Sequence, residues 1–170
     1  MARIDVVVGN IAVQVADVIV NAANSSLLGG RGVDGAIHAA GGPEILAECK
    51  EIRARDYPQG LGVGGVVVTG PGRLSCRYVI HTVGPIHGED PRESTLARCY
   101  WGSIELANQL GARSIAFPLI SAGAYGWPVA IAAKVAVEAV RGAIATAGLD
   151  EVRFVLARES IAEVLRSLLK

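Results

Sequence analysis

Short runs of β-branched and other apolar residues alternate with helical patterns along this chain, and the alternation limits the folds open to it. The runs at 4–8, 66–70 and 114–121 each end at glycine or another small residue before the next pattern begins. Strands that alternate with helices form βαβ units, in which helices cover both faces of a sheet. We therefore predict an α/β fold with three layers, α/β/α.

The predicted elements follow from hydrophobic periodicity and from the glycines and prolines that interrupt it. Strands are predicted at 4–8, 17–24, 66–70, 77–84, 114–121 and 151–157. Helices are predicted at 33–42, 44–55, 93–111, 128–147 and 160–169. No internal repeat or long linker interrupts the series, so residues 1–170 are predicted to form one domain.

Composition agrees with a sheet covered on both faces, because the strands of such a sheet are continuously apolar. Hydrophobic residues make up 51% of the chain, and the mean hydropathy is +0.41. The 16 basic and 16 acidic residues cancel, so no bulk cationic field gathers nucleic acid. An anionic ligand must then be held by local groups, chiefly backbone N–H donors.

The expected compartment is the cytoplasm. The three cysteines, Cys49, Cys76 and Cys99, are widely spaced and form no CxxC pair, which favours free thiols over a zinc site or disulfides. Arg3 and Asp5 lie in the first strand pattern, so the N-terminus does not resemble a signal peptide. No apolar run reaches membrane-spanning length, and no membrane association is predicted.

Two strand exits have an unusual composition and are the candidate ligand site. The segments 21–38 and 121–128 each run from a strand through small residues into a helix. Ligands of open α/β sheets bind outside the carboxyl ends of strands, and small residues let backbone N–H groups approach an anion. Side by side, two such loops would clamp a phosphate or diphosphate. Glycine-rich turns are also common as plain loop geometry, and the composition alone favours that interpretation.

The first exit also carries polar side chains suited to chemistry on a sugar. Asn21 and Asn24 lie at the strand end, and Asp34 and His38 are four residues apart on one helix face. A carboxylate and an imidazole on a pocket wall can orient water and hydroxyl groups. Structural alternatives stay open: Asp34 favours a helix N-terminus, His38 suits a core, and Asn24 suits a turn.

Three sequence blocks together resemble a known family. The segment VIVNAANSSLLGGRGVDGAIHAAGGPE is similar to the signature of MacroD-type macrodomains, and RYVIHTVGP and SIAFPLISAGAYGWP resemble the second and third family blocks in the same order. The resemblance covers residues 4 to about 156. It implies a macrodomain with a mixed, largely parallel central sheet.

The resemblance also implies a function at the terminal ribose of ADP-ribose. The family branch removes ADP-ribose esterified to acidic side chains and deacetylates O-acetyl-ADP-ribose, without a metal and with ADP-ribose as the ligand or product. By motif position, Asn24 would hold the distal ribose, Asp34 would orient that ribose and the attacking water, and His38 would be accessory. The remaining predicted ligand contacts are Asn10, Ile11, Asn21, Gly32, Val33, Ser121, Ala122, Gly123, Ala124 and Tyr125.

Two residues depart from the family pattern. Asn10 replaces the aspartate that accepts a hydrogen bond from the adenine amino group, and a neutral acceptor is weaker than a charged one. Arg31 stands at the third position of a glycine run, where it would be strained if that position needs positive φ. Arg31 either reaches the substrate or, as favoured here, is solvated. His81, in a predicted strand, is expected to pack beside the cleft and hydrogen-bond.

Three functions stay open. The first is a hydrolase acting on ADP-ribosylated proteins or O-acetyl-ADP-ribose, with ADP-ribosylated nucleic acid as a further substrate class. The second is a non-catalytic reader of ADP-ribose, and the third is a phosphatase for ADP-ribose-1″-phosphate. The sequence leaves the oligomeric state undetermined, and a monomer is expected.

Overall fold

A computed structural model describes residues 1–170, which form six strands and five helices. The strands are β1 (Arg3–Val8), β2 (Val18–Ala23), β3 (Val66–Thr69), β4 (Tyr78–Val83), β5 (Ser114–Phe117) and β6 (Glu151–Leu156). The helices are α1 (Gly32–Gly41), α2 (Pro43–Asp56), α3 (Glu93–Gln109), α4 (Val129–Ile144) and α5 (Glu159–Leu169). A short 3₁₀ turn spans Ile11–Val13. No helix combines the length and the apolar character that crossing a bilayer requires.

The six strands form one mixed sheet in the order β1-β6-β5-β2-β4-β3. Neighbouring strands are parallel except at one edge, where β3 runs antiparallel to β4. The prediction of a mixed, largely parallel sheet is therefore confirmed. Because β2 and β5 are parallel neighbours, the segments that leave their carboxyl ends emerge at the same edge of the sheet.

Two apolar cores lie on opposite faces of this sheet. Val18 and Val20 pack into the core beneath α3, α4 and α5, whereas Ile19 between them packs into the core beneath α1 and α2. Side chains alternate between the faces of a strand, so a strand covered on both faces is apolar at every position. This double coverage explains the continuous apolar runs in the sequence.

The junction of α1 and α2 is a single glycine. Gly42 has φ +84°, follows the last residue of α1, and directly precedes Pro43 at the first position of α2. Glycine adopts positive φ without strain, and proline suits the first helical position because it lacks the N–H that would be unpaired there. The predicted stop at this point is confirmed.

The end of β5 differs from the prediction. The strand was expected to continue to Ser121, but it ends at Phe117. Pro118 cannot donate a ladder hydrogen bond, and Ser121 takes the left-handed conformation with φ +67°. The 3₁₀ turn at Ile11–Val13 was not predicted; it follows Asn10, whose Oδ1 accepts a hydrogen bond from Ala12 N at 2.9 Å.

Candidate functional site

The exits of β2 and β5 enclose a cleft of about 320 Å³. One wall comes from the end of β2, residues 24–31, here called the first loop, and the start of α1. The other comes from residues 118–128, here called the second loop. The lining residues are Ala22, Asn24, Gly30, Arg31, Gly32, Val33 and Asp34 on the first wall, and Pro118, Leu119, Ser121, Gly123, Ala124 and Tyr125 on the second.

Most of the predicted site residues meet in this cleft. Those that line it are Asn24, Gly32, Val33, Asp34, Ser121, Gly123, Ala124 and Tyr125. Those that do not are Asn10, Ile11, Asn21, His38 and Ala122. The predicted juxtaposition of the two loops is thus present, although several predicted contacts lie behind or beside the cleft wall.

The predicted residues outside the lining have structural partners. Asn10 is exposed and caps the 3₁₀ turn, while Ile11 is buried in the core beneath α1 and α2. Asn21 is fully buried, and its Nδ2 donates a hydrogen bond to Asp34 Oδ1. His38 lies one helical turn along α1 from Asp34, and its Nε2 approaches the same carboxylate oxygen that Asn21 contacts.

Asp34 is the buried carboxylate of the cleft, with only 4% of its surface exposed. Its Oδ1 accepts a hydrogen bond from Asn21 Nδ2 at 2.8 Å and lies 3.4 Å from His38 Nε2. Burial raises the pKa of Asp34, while the Asn21 hydrogen bond and the charge of His38 oppose the shift. A carboxylate whose pKa is raised by burial is a stronger base than an exposed one.

Gly30 in the first loop leaves room for the Asp34 side chain because it has no Cβ. A Cβ at Gly30 would lie 3.0 Å from Asp34 Oδ2 and 3.2 Å from Asn24 Nδ2, so a methyl group there would crowd both side chains. Asn24 Nδ2 donates to Gly29 O at 2.9 Å, and its Oδ1 accepts from Ser26 N at 3.1 Å. Asn24 therefore shapes the loop as well as lining the cleft.

Arg31 is not strained. Its backbone is extended, with φ −104° and ψ 179°, and the positive φ of 59° falls on Gly32 instead. The condition for strain at the third position of the glycine run, a positive φ, is therefore not met. Arg31 is exposed and forms part of the cleft rim.

The second loop presents backbone rather than charged side chains. Ile120 N donates to the buried hydroxyl of Tyr100 on α3 at 3.0 Å, which fixes the backbone just before Ser121. A Cβ at Gly84 would come 2.2 Å from Ser121 Oγ, so the segment after β4 packs directly beneath this turn. No local sequence pattern indicates that Tyr100 and Gly84 support the site, because both lie outside the two loops that line the cleft.

Trp127 anchors the far end of the second loop. Its Nε1 donates to Pro85 O at 3.1 Å, its backbone N–H donates to Ser121 O at 3.1 Å, and the side chain is buried. Trp127 therefore has a structural role at this end of the loop. Tyr125 lies nearer the opening, where burial and then the negative charge of Asp34 raise its pKa.

A chain of buried polar side chains continues behind Asp34. His81 Nδ1 lies 3.0 Å from Asn21 Nδ2, and His81 Nε2 lies 3.0 Å from Thr69 Oγ1. Burial lowers the pKa of His81 to about 3, so its ring is neutral at ordinary pH. His81 hydrogen-bonds behind the cleft, in line with the expectation from its strand, whereas Thr69 was not singled out from the sequence.

His38, Cys49 and His81 form a potential donor set, with ligand atoms within 4.8 Å of one another. Zinc accepts this combination of residue types. However, His81 Nε2 already bonds Thr69, and burial raises the pKa of Cys49 to about 12. A cation would have to displace both that bond and the thiol proton, so we assign these side chains to the polar core behind Asp34.

The arrangement combines two chemical capabilities. Backbone N–H groups at the start of α1 and along the second loop suit an anion, which a helix N-terminus also favours. The buried carboxylate of Asp34 faces the same cavity and can accept a proton from water. The cleft can therefore hold an anionic ligand and activate water beside it.

Comparison with known proteins identifies relatives of this chain. A family model described as "Macro domain" matches residues 20–136. A macro domain-containing protein of Streptomyces griseus is 57% identical over 149 residues, which is 87% of this chain and 84% of that protein. O-acetyl-ADP-ribose deacetylase 1 of Pantoea vagans is 49% identical over 147 residues, or 85% of each.

The fold has solved counterparts as well. A single-site variant of the Oceanobacillus iheyensis macrodomain, solved with ADPR, superimposes with a TM-score of 0.93 at 42% identity. The match covers 96% of this chain and 90% of that one. At this level of likeness, the two chains share one fold.

Proposed function

This chain belongs to the macro domain family, and from that premise we propose that it binds ADP-ribose in the cleft and hydrolyses an acyl ester at the terminal ribose. The substrates would be ADP-ribose esters of acidic protein side chains and O-acetyl-ADP-ribose, with ADP-ribosylated nucleic acid as a further class. The name of the Pantoea vagans relative and the ADPR in the Oceanobacillus iheyensis structure support the ligand and the reaction.

The diphosphate is proposed to lie between the start of α1 and the second loop. Gly32 and Val33 stand at the helix N-terminus, where backbone N–H groups are unpaired, and Ser121–Tyr125 form the facing turn. The chain has zero net charge, so main-chain donors carry this recognition instead of a cationic surface. Asn10 and Ile11 are proposed to lie nearer the adenine.

The distal ribose is then proposed to reach Asn24 and Asp34. Asp34 would accept a proton from a water molecule while the water oxygen attacks the acyl carbon. The tetrahedral intermediate expels the ribose oxygen, which takes up a proton, and the products are a carboxylic acid and a free ribose hydroxyl. Holding water beside the ester supplies much of the rate enhancement through proximity, with the substrate's phosphate helping to orient it.

The observation that carries the proposal is the buried Asp34 carboxylate on the cleft wall. A reader of ADP-ribose needs the backbone clamp but not a carboxylate whose pKa is raised by burial. No covalent nucleophile is invoked, because the hydroxyl of Ser121 is buried without any hydrogen-bond partner and thus has no base to activate it.

A substrate panel tests this function. Wild type and Asp34→Ala are each incubated with a protein carrying glutamate-linked ADP-ribose, with O-acetyl-ADP-ribose and with ADP-ribose-1″-phosphate. We expect ester cleavage by wild type and a loss of about 100-fold or more in Asp34→Ala, in keeping with removal of a general base. ADP-ribose affinity, measured by calorimetry, should change far less. Asp56→Ala, which removes an exposed carboxylate, is the matched control.

Other results of the substrate panel would support a different function. Binding without release of ADP-ribose would favour the reader, and phosphate release faster than ester cleavage would favour the phosphatase. Full ester cleavage by Asp34→Ala would remove Asp34 from the mechanism.

A further inference from the structure

The hydrogen bonds behind Asp34 cross three strands of the sheet. Asn21 on β2 and His81 on β4 are register partners, and Thr69 ends β3, the antiparallel edge strand. All three side chains are buried. None of the three lines the cleft, yet the chain that they form ends on Asp34.

The direction of every bond in this chain follows from donor accounting. The single hydroxyl hydrogen of Thr69 is donated to Gly70 O at 3.0 Å, so Thr69 Oγ1 accepts from His81 Nε2–H. A neutral histidine with its proton on Nε2 has a lone pair on Nδ1, which accepts from Asn21 Nδ2. The second hydrogen of the same amide nitrogen is donated to Asp34 Oδ1.

The Nδ1–H tautomer of His81 would replace the hydrogen-bond donor that now faces Asp34 with an acceptor. With its proton on Nδ1, His81 would donate, and Asn21 would have to turn its amide oxygen towards the ring. That oxygen would then also occupy the position now 2.8 Å from Asp34 Oδ1 and repel the carboxylate. The tautomer of His81 therefore decides whether Asp34 meets a donor or an acceptor.

We infer that Thr69 and His81 are positioning residues for Asp34, acting through the amide of Asn21. The Thr69 hydroxyl selects the His81 tautomer, the tautomer selects the amide orientation, and the amide holds Asp34 in its rotamer as an ionised base. The inference rests on the proposed function of Asp34 as that base. Two further polar groups contact this chain of side chains. His38 Nε2 lies 3.4 Å from Asp34 Oδ1, and Cys49 Sγ lies 3.9 Å from His81 Nε2.

Paired variants at position 69 test the hydroxyl. Thr69→Val keeps the shape but removes the acceptor, whereas Thr69→Ser keeps the hydroxyl. We expect kcat for ester cleavage to fall about 10-fold or more in Thr69→Val, the equivalent of one lost hydrogen bond to a charged network. KM and ADP-ribose affinity should stay within about two-fold. Thr69→Ser should restore kcat. Equal kcat in the two variants would overturn the inference, whatever their melting temperatures.

A second pair covers the case in which Thr69→Val does not fold. His81→Asn presents an amide oxygen near the position of Nδ1, while His81→Leu has similar bulk and no acceptor. We expect His81→Asn to retain most of the kcat that His81→Leu loses. If both variants lose kcat equally while their unfolding midpoints agree, positioning through Asn21 is wrong.

NMR of the His81 ring separates this inference from the proposed function. Nitrogen-15 shifts should report the Nε2–H tautomer in wild type and a shift of population towards Nδ1–H in Thr69→Val. An Nδ1–H tautomer in wild type would overturn the inference even if turnover is high. Wild type that cleaves no ester would instead contradict the proposed function, and the tautomer measurement would still decide the direction of the hydrogen bonds.

Discussion

The two walls of the cleft are built by different means. The first wall presents side chains, Asp34 and Asn24, that converge around Gly30 and are held by a polar chain behind the sheet. The second wall presents main chain, and its shape depends on Tyr100 and Trp127 from outside the lining. The proposed chemistry thus depends on the side chains of the first wall, whereas the proposed grip on the diphosphate depends on the second wall together with the start of α1. Substitutions at these two sets of residues should therefore change different measured quantities.

After the removal of Asp34 itself, the largest effect is expected from Gly30→Ala on the first wall. The added methyl group would lie 3.0 Å from Asp34 Oδ2, so the carboxylate would have to shift by a few tenths of an ångström. We expect ester cleavage to fall by about 10- to 100-fold, since small misplacements of catalytic groups are costly. ADP-ribose affinity should fall much less. Gly62→Ala, where a Cβ meets no atom within 4 Å, is the control, and equal rates for both variants would contradict the assignment.

Tyr100→Phe should weaken the second wall instead. It removes the acceptor of the buried Ile120 N–H, which costs about 1–3 kcal/mol when a buried donor is left unpaired. We expect a lower free energy of unfolding in urea and weaker ADP-ribose binding, with kcat at saturating substrate almost unchanged. A large fall in kcat with unaltered affinity would mean that the walls do not divide their roles in this way.

The stability of Asp34→Asn should differ from that of wild type in a pH-dependent manner. Burial raises the pKa of Asp34 in the folded state, so between the unfolded and folded pKa values the folded protein binds more protons. Wild type therefore loses stability as pH rises through that interval. Asp34→Asn, which carries no charge, should melt higher than wild type at neutral pH, and the difference should shrink on acidification. A difference that grows at low pH would contradict the raised pKa.

The smallest effect is expected at Asn10, which lies on neither wall. Asn10→Asp keeps the acceptor for Ala12 N and adds a negative charge for the adenine amino group. Because a charged acceptor bonds about twice as strongly as a neutral one, we expect ADP-ribose affinity to rise a few-fold. Calorimetry would measure this, and an unchanged affinity would place the adenine away from Asn10.

The sequence predicted the residues that line the two walls better than the residues that support them, for a physical reason. Asn24, Asp34 and Gly32 lie in one contiguous strand-loop-helix unit, so their spacing in the chain fixes their spacing in space. Tyr100 and Thr69 act across elements that only the folded sheet brings together, and no local pattern reports them. The predicted strand overran β5 for a different reason: the apolar run continues past Pro118, although the ladder of hydrogen bonds ends there.

The placement of positive φ on Gly32 instead of Arg31 has a consequence for engineering. An extended backbone at position 31 tolerates any side chain, so this rim position can be randomised without disturbing the loop that carries Asn24 and Asp34. A library at Arg31 would vary the group that a bulky modified partner meets first. Such variants would keep the proposed site at Asn24 and Asp34, and comparing them would test whether the rim influences which conjugates reach it.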